Sequence, residues 1–243
     1  NQVTFNLRKR IKPERGDWAL YTPIPTGPLK TSTRILEPPS RDHLLGTDEV
    51  GRDVAARMIY GARVSMMVGF VSVGIATLIG LVVGAIAGYF RGRTDRIVSW
   101  LIQVVMCFPV LFTLLAMQVF LPRGIIWIVL LLGLVRWTGV ARLTRGEMMR
   151  LRHADFVLAA RAQGVPTPRI IFRHLMPNAL APVLVSATFG IAGAILLEST
   201  LAFLGLGVPP PVASWGELLY QGRQARDAGL HLIVFPGLLI FAT

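Results

Sequence analysis

The sequence predicts an all-α polytopic membrane protein, and two observations carry that prediction. Hydrophobic residues make up 53% of the 243 residues and charged residues only 16%, whereas soluble domains average about 25% charged residues. The charges are also clustered, so that Val64–Phe90 and Ile97–Leu121 run for 27 and 25 residues without one. A helix of about 20 apolar residues crosses a bilayer, and two runs of that length argue against a buried helix pair in a soluble core.

Three further apolar segments are weaker candidates for membrane spans. Gly124–Ala141 is interrupted only by Arg136, and Ala179–Leu197 continues past Glu198 to the next polar stretch. Leu230–Thr243 supplies only 14 residues before the sequence stops, which is too short to span a bilayer.

The distribution of arginine orients the chain. The predicted loops Arg91–Arg96 and Arg142–Asn178 hold three and seven arginines, whereas the opposite connections hold Arg123, Arg223 and Arg226. Because short positively charged loops stay inside, the first two loops are predicted to be cytoplasmic. Residues 1–63 then lie outside, although they carry eleven Lys and Arg, and a span is expected ahead of residue 1. The prediction is six spans in the full protein, with five in this chain, the last incomplete.

The extracytoplasmic segment, residues 1–63, is predicted to divide at Pro38-Pro39. The part before it is irregular because it is rich in turn formers, namely Pro23, Pro25, Gly27 and Pro28. After it, apolar residues recur every fourth position and charged residues occupy the other faces: Val50, Val54 and Met58 against Arg52, Asp53 and Arg57. This pattern predicts an amphipathic helix near 48–60 at the membrane interface, although a helix on a soluble subdomain would show the same pattern. The permease-like membrane domain is predicted to cover 64–243.

Gly80, Gly84 and Gly88 form two overlapping GxxxG units within the first long run. Glycines four residues apart lie on one helix face and permit close approach of another helix. The stripe is predicted to pack against a span of the same chain or of a partner.

The loop 142–178 predicts two short helices. Residues near 154–163 favour a helix, and Gly164 is expected to end it in the left-handed conformation. Thr167 is a candidate N-cap with Pro168 at the first helical position, and the second helix is predicted to end near Met176. Two arginine-rich helices that project from the membrane predict a docking knob, whereas a merely solvated loop would not need them.

The same loop resembles the EAA loop of ABC importer permeases. The similarity rests on the run Ala159-Ala160-Arg161-Ala162-Gln163-Gly164, followed by Ile170-Ile171 and Leu175-Met176-Pro177-Asn178. The resemblance implies a coupling helix that inserts into a groove on a cytoplasmic ATPase, with Ala159, Ala160, Arg161, Gly164, Ile170 and Pro177 as its coupling residues. Leu158 stands where the family pattern has Glu. An ion pair made by that acid is therefore not expected here, whereas the coupling helix still is.

Two other segments resemble the dipeptide/oligopeptide/nickel permease family, in its C-type subunit. They are His43–Asp53, followed by Tyr60–Ser65, and Leu201–Pro211, followed by Ser214–Leu218. A long outer segment ending in Pro38-Pro39-Ser40 is also similar to the subgroup that imports microcin-type peptides.

The resemblance implies a permease subunit of an ATP-driven importer of dipeptides or oligopeptides in the bacterial inner membrane. Its implied partners are a second permease, two cytoplasmic ATP-binding subunits, an extracytoplasmic peptide-binding protein and membrane lipid. ATP and magnesium are expected on the ATPase subunits, with no cofactor in this chain. A nickel permease of the same family and a membrane scaffold without transport are the alternatives.

Catalysis and metal binding are not expected. The sequence has no GxxxxGK[ST] phosphate loop, HExxH motif or nucleophile elbow. The four histidines are scattered over both predicted sides, which argues against a metal site. The basic residues alternate with spans, which indicates topology signals and not nucleic-acid binding.

Arg136 and Glu198 are the candidates for the translocation path because ionisable residues within spans are functional by default. Arg136 could face the path or reach towards a headgroup. Glu198 could line the path or hydrogen-bond a hydroxyl such as that of Ser199 or Thr200.

Overall fold

The computed structural model describes residue 24 and residues 26–243, so the predictions for Pro23 and Pro25 lie outside the described residues. The described part is helical, and its extended pairing is limited to the isolated bridges Thr31–Arg52 and Thr47–Asp53. The helices are α1 Val54–Phe90, α2 Gly92–Met106, α3 Val110–Phe120, α4 Ile125–Leu151, α5 Asp155–Ala162, α6 Thr167–Leu206, α7 Trp215–Ala225 and α8 Leu230–Ala242. The all-α prediction is confirmed.

Three helices, α1, α4 and α6, are long and apolar enough to cross a membrane. The pair α2 and α3 bends by 81° and adds a fourth crossing if its two halves act as one span. Helix α8 is apolar but has only 13 residues. These elements coincide with the five apolar segments of the sequence.

The run Ile97–Leu121 is not the straight helix that its composition predicts. Helix α2 ends at Met106, and α3 begins after Pro109, which has φ −59° and ψ 127°. Proline has no N–H to donate and disfavours the helical conformation in the residue before it. The chain therefore turns at Cys107 and Phe108, and the run becomes two helices.

The prediction of a separate interfacial helix near 48–60 is wrong, because α1 starts at Val54 and runs without a break to Phe90. Asp53 caps its start by accepting a hydrogen bond from the Ala56 N–H at 3.0 Å. Val54 and Met58 are buried against Leu218 and Leu232, which belong to α7 and α8. Their spacing of four therefore reflects packing within the protein.

The described residues form two compact units that depart from the predicted division at residue 63. The outer unit comprises the residues up to Ser65 together with Ser199–Thr243, and the helical unit comprises Met66–Glu198. Within the outer unit, the Trp215 indole N–H donates to the Met58 carbonyl at 3.0 Å and the Trp215 backbone N–H donates to the Ser65 hydroxyl at 3.2 Å. These bonds explain why residues after 199 group with the outer segment.

The three glycines of the α1 stripe are buried against α4 of the same chain. A Cβ added at Gly80 would lie 2.5 Å from the Val140 Cβ, and one at Gly88 would lie 2.6 Å from the Met148 Cβ. A Cβ at Gly84 would collide with the Ala141 carbonyl oxygen. The two helices therefore approach so closely that no side chain fits between them.

We expect Gly84→Ala to lower the free energy of unfolding by about 1–3 kcal/mol, because the new methyl overpacks a backbone contact. The matched control is Gly74→Ala on the same helix, where an added Cβ meets nothing within 4 Å. Alanine has the higher helix propensity, so the control should be neutral or slightly stabilising. Thermal unfolding in detergent measures both, and equal stability of the two variants would contradict the packing role.

Candidate functional site

Helix α5 lies in the short connection between α4 and α6, as the predicted docking knob requires. The prediction placed the loop from Arg142, but residues up to Leu151 continue α4. Helix α5 ends at Gly164, which has φ +76°. The Gly164 N–H donates to the Arg161 carbonyl at 2.9 Å and the Val165 N–H to the Ala160 carbonyl at 3.1 Å, which is a Schellman motif. The helix end predicted from Gly164 is therefore present.

The second helix of the loop differs from its prediction at both ends. Thr167 is the first helical residue and Pro166, in an extended conformation, precedes it as the cap. The helix does not end near Met176, because a π-helical segment, Ile170–Leu175, leads directly into the rest of α6. Pro177 cannot donate a backbone bond, and the Met176 N–H donates five residues back to Ile171. The helix thus accommodates the proline without stopping.

The inner face of α5 is part of the core of the helical unit. Val157 and Ala160 are buried in a cluster drawn from three other helices: Ala85 of α1, Met148 and Leu151 of α4, and Ile170, Leu175 and Ala179 of α6. Two of the predicted coupling residues, Ala160 and Ile170, therefore belong to this core. The cluster fastens α5 to α1, α4 and α6.

Polar contacts reinforce the attachment to α1. Arg152 donates from Nη1 to the Tyr89 carbonyl at 2.9 Å, which satisfies a free carbonyl in the last turn of α1. The Arg161 guanidinium lies 5.7 Å from the centre of the Tyr89 ring, within the range of a cation–π contact. Nearby, Arg145 of α4 donates from Nε and Nη2 to the two carboxylate oxygens of Asp95 in α2.

The outer face of α5 is open. Of the predicted coupling residues, Ala159, Arg161, Gly164 and Pro177 are exposed. Phe156 and Leu158 expose 41% and 49% of their surface, and an added Cβ at Gly164 would meet nothing within 4 Å. Exposed apolar side chains beside open backbone are features of a contact surface. Leu158 extends this apolar face.

A buried ion network in the outer unit was not predicted from the sequence. Arg57 is fully buried, with Nη2 2.5 Å from Glu217 Oε2 and Nε 3.3 Å from Asp48 Oδ2. Asp48 also binds Arg52 Nε at 2.6 Å, and Gln221 donates to Glu217. Burial raises the pKa of the Glu217 carboxyl, and the positive charge of Arg57 opposes that rise.

This network joins two segments that the resemblance had marked separately. Asp48 and Arg52 belong to the segment His43–Asp53, and Glu217 belongs to Ser214–Leu218. Sequence spacing assigned Arg57 only to a polar helix face, because its partner Glu217 is 160 residues away. The clue available in the sequence was Glu217, the one charged residue of Ser214–Leu218, which needs a cation if it is buried.

Two of the four histidines make separate side-chain hydrogen bonds. His43 Nδ1 lies 2.8 Å from Asp53 Oδ2, and His231 Nε2 lies 2.8 Å from the Thr47 carbonyl oxygen. Within residues 24 and 26–243, no three His, Cys, Asp or Glu side chains are grouped as metal ligands.

The two path candidates occupy different environments. Arg136 donates from Nη1 to the Gly190 carbonyl at 3.0 Å and borders a cavity of about 110 Å³ between α1, α4 and α6. Glu198 is fully buried in α6 and does not line that cavity. The structure therefore does not bring the two residues to one site.

Comparison with known proteins gives consistent matches. A family model described as "Binding-protein-dependent transport system inner membrane component" matches residues 80–243. The oligopeptide transport system permease protein OppC of Bacillus subtilis is 35% identical over 228 residues, which cover 93% of this chain and 75% of that protein. The dipeptide transport system permease protein DppC of Alkalihalophilus pseudofirmus is 36% identical over 225 residues, which cover 91% of this chain and 74% of that protein. The DppC of Bacillus subtilis is 41% identical over 207 residues, which cover 85% of this chain and 65% of that protein.

Solved structures support the fold. A chain of the inward-facing MetNI methionine ABC transporter aligns with a TM-score of 0.58 at 20% identity, covering 76% of this chain and 89% of that chain. A chain from the crystal structure of an amino acid ABC transporter with histidines aligns at 0.55 and 19% identity, covering 77% and 86%. At these identities the likeness concerns the arrangement of the helices.

We expect Arg57→Met to destabilise the protein by about 3–5 kcal/mol, because it leaves the buried Glu217 carboxylate without its cation. The matched control is Arg63→Met, which removes an exposed arginine from the same helix and should change stability little. Denaturant unfolding of the purified protein in detergent measures both. Coincident unfolding curves for the two variants would rule out a stabilising role for the network.

Proposed function

We propose, on the premise that the chain belongs to the binding-protein-dependent transport system inner membrane components, that it is a permease subunit of an ATP-driven importer of dipeptides or oligopeptides. The chain is a multi-pass membrane protein and is not itself an enzyme. The observation that carries the proposal is similarity to oligopeptide and dipeptide permeases over 85–93% of its length. The location that we propose is the bacterial inner membrane.

The geometry of α5 supports an attachment site for a cytoplasmic ATPase. A coupling element needs a fixed inner face and an accessible outer face, and α5 has a core-packed side at Val157 and Ala160 and an open side at Phe156, Leu158 and Gly164. In the proposed assembly, two ATPase subunits bind ATP and magnesium, a second permease completes the path, and an extracytoplasmic protein delivers the peptide. Lipid surrounds the spans.

Movement of the ATPases would reach the membrane through the cluster around Val157. Because that cluster joins α5 to α1, α4 and α6, close-packed side chains would transmit a displacement of α5 to three helices together. We propose that this rocking alternately opens the path to the two sides of the membrane.

Uptake by the reconstituted complex tests the proposed function. Proteoliposomes containing this chain, its second permease and the ATPases should accumulate a labelled dipeptide when ATP and the binding protein are supplied. Accumulation of labelled nickel in place of peptide would overturn the assignment, as would purification of the chain without ATPase partners.

We expect Gly164→Phe to lower peptide uptake per ATP hydrolysed by about tenfold or more, as the loss of a central interface contact does. The matched control is Gly164→Ala. Both variants place a side chain at φ +76°, and both pay the same backbone cost of roughly 1–2 kcal/mol. Only the phenyl ring projects far into the space that the ATPase would occupy, so uptake should survive in Gly164→Ala. Equal coupling ratios in the two variants would show that no partner packs against Gly164.

A further inference from the structure

Arg136 lies deep in the part of α4 that crosses the membrane. It is 11 residues from the start of the helix at Ile125, which is about 16 Å at 1.5 Å per residue. The hydrocarbon core of a bilayer is about 30 Å thick, and the apolar stretch of α4 ends five residues later at Ala141, so this position falls within the core on the predicted cytoplasmic side. A permanent charge there is costly and is kept where it faces the protein interior or a water-filled cavity.

No acid neutralises this arginine in the part of the chain that the structure describes. Its recorded hydrogen bond is the one from Nη1 to the Gly190 carbonyl, and no ion pair involves it among these residues. Arg57, by contrast, is paired with two carboxylates. A guanidinium carries five N–H donors in a planar fork, so Arg136 retains donors for a further acceptor.

Small residues hold the Arg136 guanidinium beside a cavity. A Cβ at Gly193 would lie 3.1 Å from Nη2, so the guanidinium packs tightly against this part of α6. The cavity of about 110 Å³ is also lined by Ser72, Gly139 and Ser186. Water occupies about 30 Å³ per molecule in the liquid, so the space holds a carboxylate and an accompanying water. A second cavity of about 490 Å³, bordered by Arg136 and the bend between α2 and α3, adjoins the same side chain.

The geometry points to Arg136 as a binding site for the C-terminal carboxylate of the transported peptide. This inference rests on the proposed function, since it names a residue in the path of that importer. Arginine binds carboxylates through two parallel N–H bonds, and the pairing strengthens away from water. Its remaining donors provide that fork, while Nη1 stays fixed to Gly190. The site would select substrates with a free carboxylate.

The test compares Arg136→Lys with Arg136→Gln in the complete importer, with Arg123→Gln as the matched control because Arg123 is exposed in the loop before α4. Lys and Gln can both donate to the Gly190 carbonyl, but only Lys keeps the charge. The probes are the labelled dipeptide Ala-Phe and its C-terminal amide, with the same binding protein in every arm. Uptake, basal ATPase rate and recovery of the assembled complex are measured together.

We expect Arg136→Gln to reduce uptake of Ala-Phe by about tenfold or more, as removing one partner of a desolvated charge pair does. Arg136→Lys keeps the charge but not the planar fork, so it should retain more uptake than Arg136→Gln and less than the unmodified importer, and the preference for the free acid over the amide should fall furthest in Arg136→Gln. Equal uptake by the Lys and Gln variants would overturn the inference and leave Arg136 a structural donor to Gly190. An unchanged preference for the free acid in Arg136→Gln would also overturn it. Failure of the unmodified importer to take up either peptide would instead overturn the proposed function.

Discussion

Away from water, a buried charge must find an opposite charge or hydrogen-bond acceptors within the protein, and this requirement organises both units. In the outer unit, Arg57 is matched by Asp48 and Glu217, which ties the start of α1 to the segment before it and to α7. A buried network of this kind contributes little net energy compared with apolar packing, but it penalises any arrangement that separates its members. In the helical unit, Arg136 has only the Gly190 carbonyl. Arg57 therefore holds parts of the fold together, whereas Arg136 retains N–H donors for a further acceptor.

Close packing has the corresponding role for the helices. Lipid tails are as apolar as leucine side chains, so apolar burial alone does not hold membrane helices together. The glycine stripe of α1 lets the backbone of α4 approach, and the Val157 cluster then joins the ends of α1, α4 and α6 to α5. Interiors packed in this way are not continuously deformable. A load on the exposed face of α5 therefore moves several helices, and a soft loop in its place would absorb that load.

Local signals predicted much of this structure, and distant contacts explain what they missed. The length of the apolar runs predicted the helices, and Gly164 predicted the end of α5. Helix formation and helix termination both depend on residues close together in the sequence. Run length alone did not predict the break at Pro109, because a count of apolar residues does not register a proline within the run. The spacing of Val54 and Met58 predicts an apolar helix face, but it does not show whether that face contacts the membrane surface or the helices α7 and α8. The motif names Ala160 and Ile170 as coupling residues, and the structure buries both in the core, because a motif does not state which way a side chain faces.

The sign of the charge at Arg136 also bears on which substrates suit this chain. A unit charge at 4 Å from another interacts by about 4 kcal/mol at an effective dielectric of 20, and the interaction doubles for a divalent ion. A bare divalent cation passing the Arg136 cavity would therefore be repelled, while the carboxylate of a peptide would be attracted. A peptide also carries a positive amino group, which its length separates from the carboxylate. With the role proposed for Arg136, the guanidinium would hold one end of such a molecule while the other lies beyond its reach, and a zwitterionic peptide would suit this site better than nickel.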